Sequence, residues 1–161
     1  MTRIYLGLGS NINPEKHIPE GINSLKSLFS DLQVSPIYLS PAFGFDGDDF
    51  HNLVVIADTG LNAEQVIEKL RELEFQHGRP KNAEKYSSRT LDIDLLMYGD
   101  FVGEVCGYHI PRQDIYKFDF VLRPLADLVP EESAPGNKES FSELWAAMAG
   151  TSELQEVYVA E

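Results

Sequence analysis

"RTLDIDLLMYGD", residues 89–100, sets two carboxylates, Asp92 and Asp94, inside a run otherwise built from Leu91, Ile93, Leu95, Leu96 and Met97. If the segment is extended, side chains alternate between faces. Both aspartates then project to one side, about 6.6 Å apart along the backbone, with Leu91, Ile93, Leu95 and Met97 opposite. In a helix the two would stand about 200° apart and could share no ligand. Adjacent carboxylates repel, and a cation between them keeps both ionised. A hard ion such as Mg²⁺, held by one or two carboxylates and completed by substrate phosphates, suits that chemistry. The alternative is an amphipathic strand with a wet outer face. Against it, the aspartate face continues with Leu96 and Tyr98, so its polarity stops halfway.

Immediately upstream, Arg79, Lys81, Lys85 and Arg89 face only one acid, Glu84, in a chain whose formal net charge is −13. The overall charge disfavours nucleic acid and anionic membrane as partners, because both depend on clustered cations releasing counterions. The local island suits a small polyanion. Cations facing anchored Mg²⁺ are what a polyphosphate needs. No G-x-x-x-x-G-K-[ST] run is present, and "GLGSNI" is too short for a dinucleotide fingerprint. Gly7 and Gly9 therefore read as permitting a close strand-to-helix turn.

Further out, "RIYLGLGSN" reads as a first strand. The helix after it carries Ile18, Ile22, Leu25, Leu28 and Phe29 at helical spacing, with Pro19 resetting its start. "LQVSPIYL" is strand-like, with Pro36 favouring an edge. "FHNLVVIAD" (50–58) is a clear strand that places Phe50 and Asn52 on one face, an aromatic surface beside an amide, suited to a flat heterocycle. Asn62 and Gln65 form a capping box for a second helix through Val66, Ile67, Leu70 and Leu73, ending at Gly78. A polar loop, the aspartate strand, a short helix at 141–148 and a possible closing strand "LQEVYVA" follow. The order β-α-β-β-α-β predicts an α+β domain, 1–161, with a mostly antiparallel sheet, helices on one face and a C-terminal extension.

The 161 residues, 43% hydrophobic and 24% charged, suit one globular domain with its own core. No apolar run is long enough for a membrane span, and the N-terminus lacks a secretory pattern, so a cytoplasmic monomer is expected. The lone Cys106 excludes an internal disulfide framework. His17, His51, His77 and His109 show no metal-ligand spacing, and no chemistry is assigned to them.

Taken in order, "YLGLGSN", "SPAFG", "FHN", "ELEFQHGR", "SSRTLDIDLLMYGD" and "IPRQDIYKFDFVLRPLADLVP" resemble the 6-hydroxymethyl-7,8-dihydropterin pyrophosphokinase family over residues 3–132. The resemblance implies a ferredoxin-like fold and a folate-biosynthesis transferase that moves pyrophosphate from ATP onto the pterin, releasing AMP, with two Mg²⁺ ions. It implies that Asp92 and Asp94 bind the metal. Glu74, Arg79, Lys81, Lys85, Tyr86, Arg89 and Arg112 would contact ATP. Arg79, Arg89 and Asp94 would act in catalysis, Asp94 as candidate proton acceptor. Phe50 and Phe120 would sandwich the pterin, Asn52 would recognise it, and Ser40, Pro41 and Phe43 would supply loop contacts. Two positions depart from the family pattern: Arg112 stands where His is usual, and Phe118 where a phosphate-binding Arg is usual. A further Arg of some members falls at Gly107. These departures motivate the rival expectation of a low-turnover pterin or nucleotide sensor. A weaker rival is an acidic interaction module with the same sheet.

Overall fold

The computed structural model describes residues 1–42, 45–78 and 90–157. Its centre is an antiparallel sheet. Strand β4 (Phe50–Thr59) pairs with β1 (Thr2–Ser10) on one side and with β2 (Ser30–Val34) and β3 (Tyr38–Ser40) on the other. Beyond β1 lies β5 (Asp92–Tyr98), so the order β5-β1-β4-β3, closed by β8 (Gln155–Glu156), places the aspartate strand at an edge. The closing strand β8 is confined to Gln155–Glu156 and pairs with β3. Residues 158–160 of the expected strand lie outside the described residues.

Alternation along β1 and β4 sorts the side chains into two layers. Ile4, Leu6, Leu8, Leu53, Val55 and Ala57 pack with helices α1 (Pro14–Leu28) and α2 (Ala63–Gln76). Their alternates Tyr5, Val54 and Ile56 face the C-terminal extension: α3 (Asp114–Lys117), α4 (Asp119–Leu128) and α5 (Phe141–Met148). The first two helices thus share one face, as expected, and the extension covers part of the other. No helix of the described residues is long and apolar enough to cross a membrane.

Local chemistry explains most boundaries. The capping box at α2 is present: the Gln65 amide donates to Asn62 Oδ1 at 2.8 Å, and the Asn62 amide donates to Gln65 Oε1 at 3.0 Å. Helix α1 corrects the expected start at Pro19. It begins at Pro14, whose fixed φ suits the first helical position, and the amides of Lys16 and His17 both donate to Asn13 O. Pro19 sits inside the helix and forgoes one backbone bond. Pro36 divides the expected strand in two; Ser35 bridges the break, its hydroxyl accepting from the Val54 amide at 2.8 Å.

A hairpin that periodicity did not mark joins β6 (Gly103–Val105) to β7 (Tyr108–Ile110). Its turn residues, Cys106 and Gly107, have φ of 52° and 83°. Two consecutive positive φ angles are a primed hairpin turn, which strongly favours glycine at its second position. A side chain at 107 would be strained in this turn.

Candidate active site

Strand β5 contains a register shift opposite Tyr5 and Leu6: Leu6 pairs with Leu95 and Tyr5 with Met97, leaving Leu96 as the extra residue. This bulge corrects the simple alternation. Leu91, Ile93 and Leu95 do pack under α1 and α2, but Leu96 and Met97 both join the opposite layer, and Tyr98 returns to the first. Asp92 and Asp94 lie before the bulge. They share a face, and that face is continued by Leu96 and Met97.

Gly7 and Gly9 correct another expectation. Both lie within β1, not in the turn after it. Gly9 pairs with Asn52 on one side and Asp92 on the other, and Gly7 pairs with Val54 and Asp94. A Cβ on Gly9 would stand 3.4 Å from Asn52 Oδ1 and 3.6 Å from Phe50 Cδ1; one on Gly7 would meet the Leu96 side chain at 3.4 Å. The glycines leave a bare floor between an aromatic-amide corner and an acidic corner.

At the first corner, the Asn52 amide nitrogen donates to Ser40 Oγ at 2.7 Å and to the carbonyls of Tyr38 and Phe50 at 3.3 Å each. Carbonyls only accept, so the NH₂ group must face them and Oδ1 must face the floor. The site therefore offers an acceptor on a fixed amide. Phe50 meets Phe45 edge to face at 6.3 Å, and Phe120, in the first turn of α4, stacks on Phe118 at 4.9 Å. Ser40 is buried at the end of β3, and Pro41 is exposed just after it.

At the second corner, burial and the neighbouring Asp92 charge push the Asp94 carboxyl up to about 6, against the opposing pull of Arg112 and Arg71. Arg71 Nη2 lies 3.6 Å and Arg112 Nη1 4.0 Å from Asp94 Oδ1. The two guanidiniums also flank the Tyr108 ring, at 5.5 Å and 4.9 Å from its centroid. Glu74, fully buried, pairs with Arg71 and accepts from the Ile93 amide at 2.9 Å. It thus fixes the residue between the two aspartates. Sequence reading missed Arg71 and Tyr108. The signal for Arg71 was its position one helical turn before Glu74, while Tyr108 arrives through the unmarked hairpin.

Arg79, Lys81, Lys85, Tyr86, Arg89 and Phe43 lie outside the described residues. Of the expected site, the structure brings together Asp92, Asp94, Glu74 and Arg112 at one corner, and Phe50, Asn52 and Ser40 at the other. The donor set suits Mg²⁺: the carboxylates are hard oxygen ligands on one face, and the Asp94 pKa, raised first by burial and second by the Asp92 charge, marks a carboxylate whose ionised form a divalent cation would favour.

The site thus sets an acidic, arginine-flanked corner and an aromatic-amide corner at the two ends of one glycine floor. The family of 7,8-dihydro-6-hydroxymethylpterin-pyrophosphokinases matches residues 5–130. Among curated relatives, 2-amino-4-hydroxy-6-hydroxymethyldihydropteridine pyrophosphokinase of Aquifex aeolicus is 32% identical over 145 residues, covering 89% of this chain and 90% of the relative. The enzyme of the same name from Pseudomonas aeruginosa is 32% identical over 149 residues, covering 90% and 91%. The chain belongs to this pyrophosphokinase family. Its fold also matches that of Plasmodium falciparum HPPK-DHPS, with a TM-score of 0.78 at 12% identity over 98% of this chain. This chain spans about half of that solved chain (49%), and at such identity the likeness concerns the fold alone.

Proposed function

We infer that the chain transfers pyrophosphate from ATP to 7,8-dihydro-6-hydroxymethylpterin, releasing AMP, and that the reaction depends on two Mg²⁺ ions bound by Asp92 and Asp94. The row Asn52–Gly9–Asp92 carries this reading, because it sets a ring subsite and an acidic subsite on one bare floor. Two strand spacings separate them, roughly 10 Å. Asn52 Oδ1 accepts from a donor on the pterin edge, with Phe50 and Phe120 as the stacking surfaces and Ser40, Pro41 and Phe43 closing the loop side. Arg71 and Arg112 place fixed positive charge beside Asp94, toward the phosphates. Arg112 thereby supports the ATP role assigned to it, and Arg79, Lys81, Lys85, Tyr86 and Arg89 are proposed as further ATP contacts.

The pterin hydroxyl oxygen attacks the β-phosphorus as the bond from that phosphorus to the α,β-bridging oxygen breaks. AMP departs with that oxygen, and the hydroxyl proton passes to an acceptor, for which Asp94 is the candidate. Bound Mg²⁺ would neutralise and polarise the phosphoryl oxygens. The protein contributes chiefly orientation, which alone can supply much of such a barrier reduction.

Incubation with ATP, Mg²⁺ and the hydroxymethyl pterin should release one AMP per pterin diphosphate formed, over many turnovers. Tight binding of both ligands without AMP would instead support a sensor. That second reading draws on Phe118, which stacks on Phe120 and offers no cation to phosphate. Absence of binding would remove both readings. In the same assay, Asn52→Ala should raise the pterin KM by about tenfold to a hundredfold, the effect of losing a buried hydrogen-bond partner of 1–3 kcal/mol. The ATP KM should stay within about twofold of the parent, since Asn52 lies at the other corner. Equal losses for both substrates would count against the corner assignment.

A further inference from the structure

Folding joins residues that are far apart in sequence at the far side of the sheet from the aspartates. His17 and Glu20 lie one turn apart on α1, and His77 caps the C-terminal end of α2. One ligand atom from each falls within 4.8 Å of the others. His17 Nδ1 and His77 Nδ1 are 3.1 Å apart, and His77 Nδ1 is 4.0 Å from Glu20 Oε2. The rings meet edge to face, at 71°, so the two Nδ1 atoms approach each other without the rings stacking.

We propose that His17, Glu20 and His77 form a binding site for a borderline-soft divalent cation of the zinc class, separate from Asp92 and Asp94. Two imidazole nitrogens bound to one tetrahedral zinc stand about 3.3 Å apart, close to the spacing observed here. The exposed Glu20 side chain can turn to supply the third ligand, and water would complete the set. Two imidazoles with one carboxylate select zinc, cobalt, nickel or copper over magnesium, which prefers oxygen. The carboxylate opposes the positive charge of the nearby Lys16.

The position gives the site a structural consequence. His77 immediately precedes Gly78, and its carbonyl accepts a hydrogen bond from Thr90 Oγ1. A bound ion would staple α1 to the point where residues 78 and 90 bracket the arginine-lysine segment. This proposal does not depend on the pyrophosphokinase reading.

The test is zinc binding to the full chain, free of any tag, in saturating Mg²⁺, followed by competition with a chromogenic chelator and by Co²⁺ visible spectra. One zinc per chain and a tetrahedral-type Co²⁺ spectrum are expected, both retained in Asp92→Asn. His17→Gln and His77→Gln should each lose the spectrum. The exposed Glu20→Ala should fold normally and bind zinc about tenfold more weakly or worse, as expected for a lost ligand. No zinc binding against Mg²⁺ would overturn the site and leave a histidine pair sharing a proton. Unchanged affinity in Glu20→Ala and in whichever histidine variant folds would equally overturn it.

Discussion

Asp94→Asn is expected to make the ligand-free protein more stable at neutral pH while sharply lowering turnover. The Asp94 carboxyl is held near 6, against an ordinary 3.8, because burial and Asp92 both disfavour its charged form. The folded state therefore binds the proton more tightly than the unfolded chain does. That contribution to stability is fully present below pH 3.8 and is lost as pH rises through about 6. At about 1.36 kcal/mol per pH unit, the shift amounts to as much as about 3 kcal/mol. Asparagine has no charge to bury, so the stability advantage of the variant should grow between about pH 4 and 6 and then level off. Denaturant unfolding at several pH values, without Mg²⁺, measures this directly. An advantage independent of pH would refute the electrostatic account. Turnover should fall by about three orders of magnitude, because the same charge that strains the free protein is the one the phosphate-bound cation needs.

Glu74→Ala is expected to have the opposite effect on stability. The carboxylate is fully buried and holds both Arg71 and the Ile93 amide. Removing it leaves a largely buried guanidinium without its closest counter-charge and a strand amide without its acceptor. Breaking a buried pair from one side costs about 3–5 kcal/mol. In a chain of this size that lowers Tm by roughly 10 °C. Glu74→Gln keeps an acceptor for Ile93 and should lose less. ATP affinity should fall in both variants, because Arg71 loses its anchor beside Asp94. A Glu74→Ala protein within about 1 kcal/mol of the parent would show that Arg71 and Ile93 find other partners.

The sequence made some features plain because their signals are local. The Asn62 and Gln65 capping box, the Phe50–Thr59 strand and the helix at Phe141–Met148 are set by neighbouring residues and appear as expected. The Asp92 and Asp94 pairing needed only the two-residue period. The bulge at Leu96 was not legible, since it depends on how β1 and β5 align across the sheet. Helix α4 was obscured by Pro124 in its interior, although Val121, Leu122 and Leu125 are buried at helical spacing. The His17, Glu20 and His77 cluster and the Arg71, Tyr108 and Arg112 stack are joined only by tertiary packing. Spacing along one segment cannot disclose such groups.

The outermost strand carries a further consequence. A strand at the rim of a sheet normally presents unpaired amides and carbonyls that invite another molecule to add on. In β5 the Ile93 amide is taken by Glu74, and the Leu96 carbonyl accepts from the Arg112 amide at 2.9 Å. Side chain and turn together act as a stopper, so the hydrogen bonds that hold the acidic corner in place also discourage chain-to-chain polymerisation along that rim.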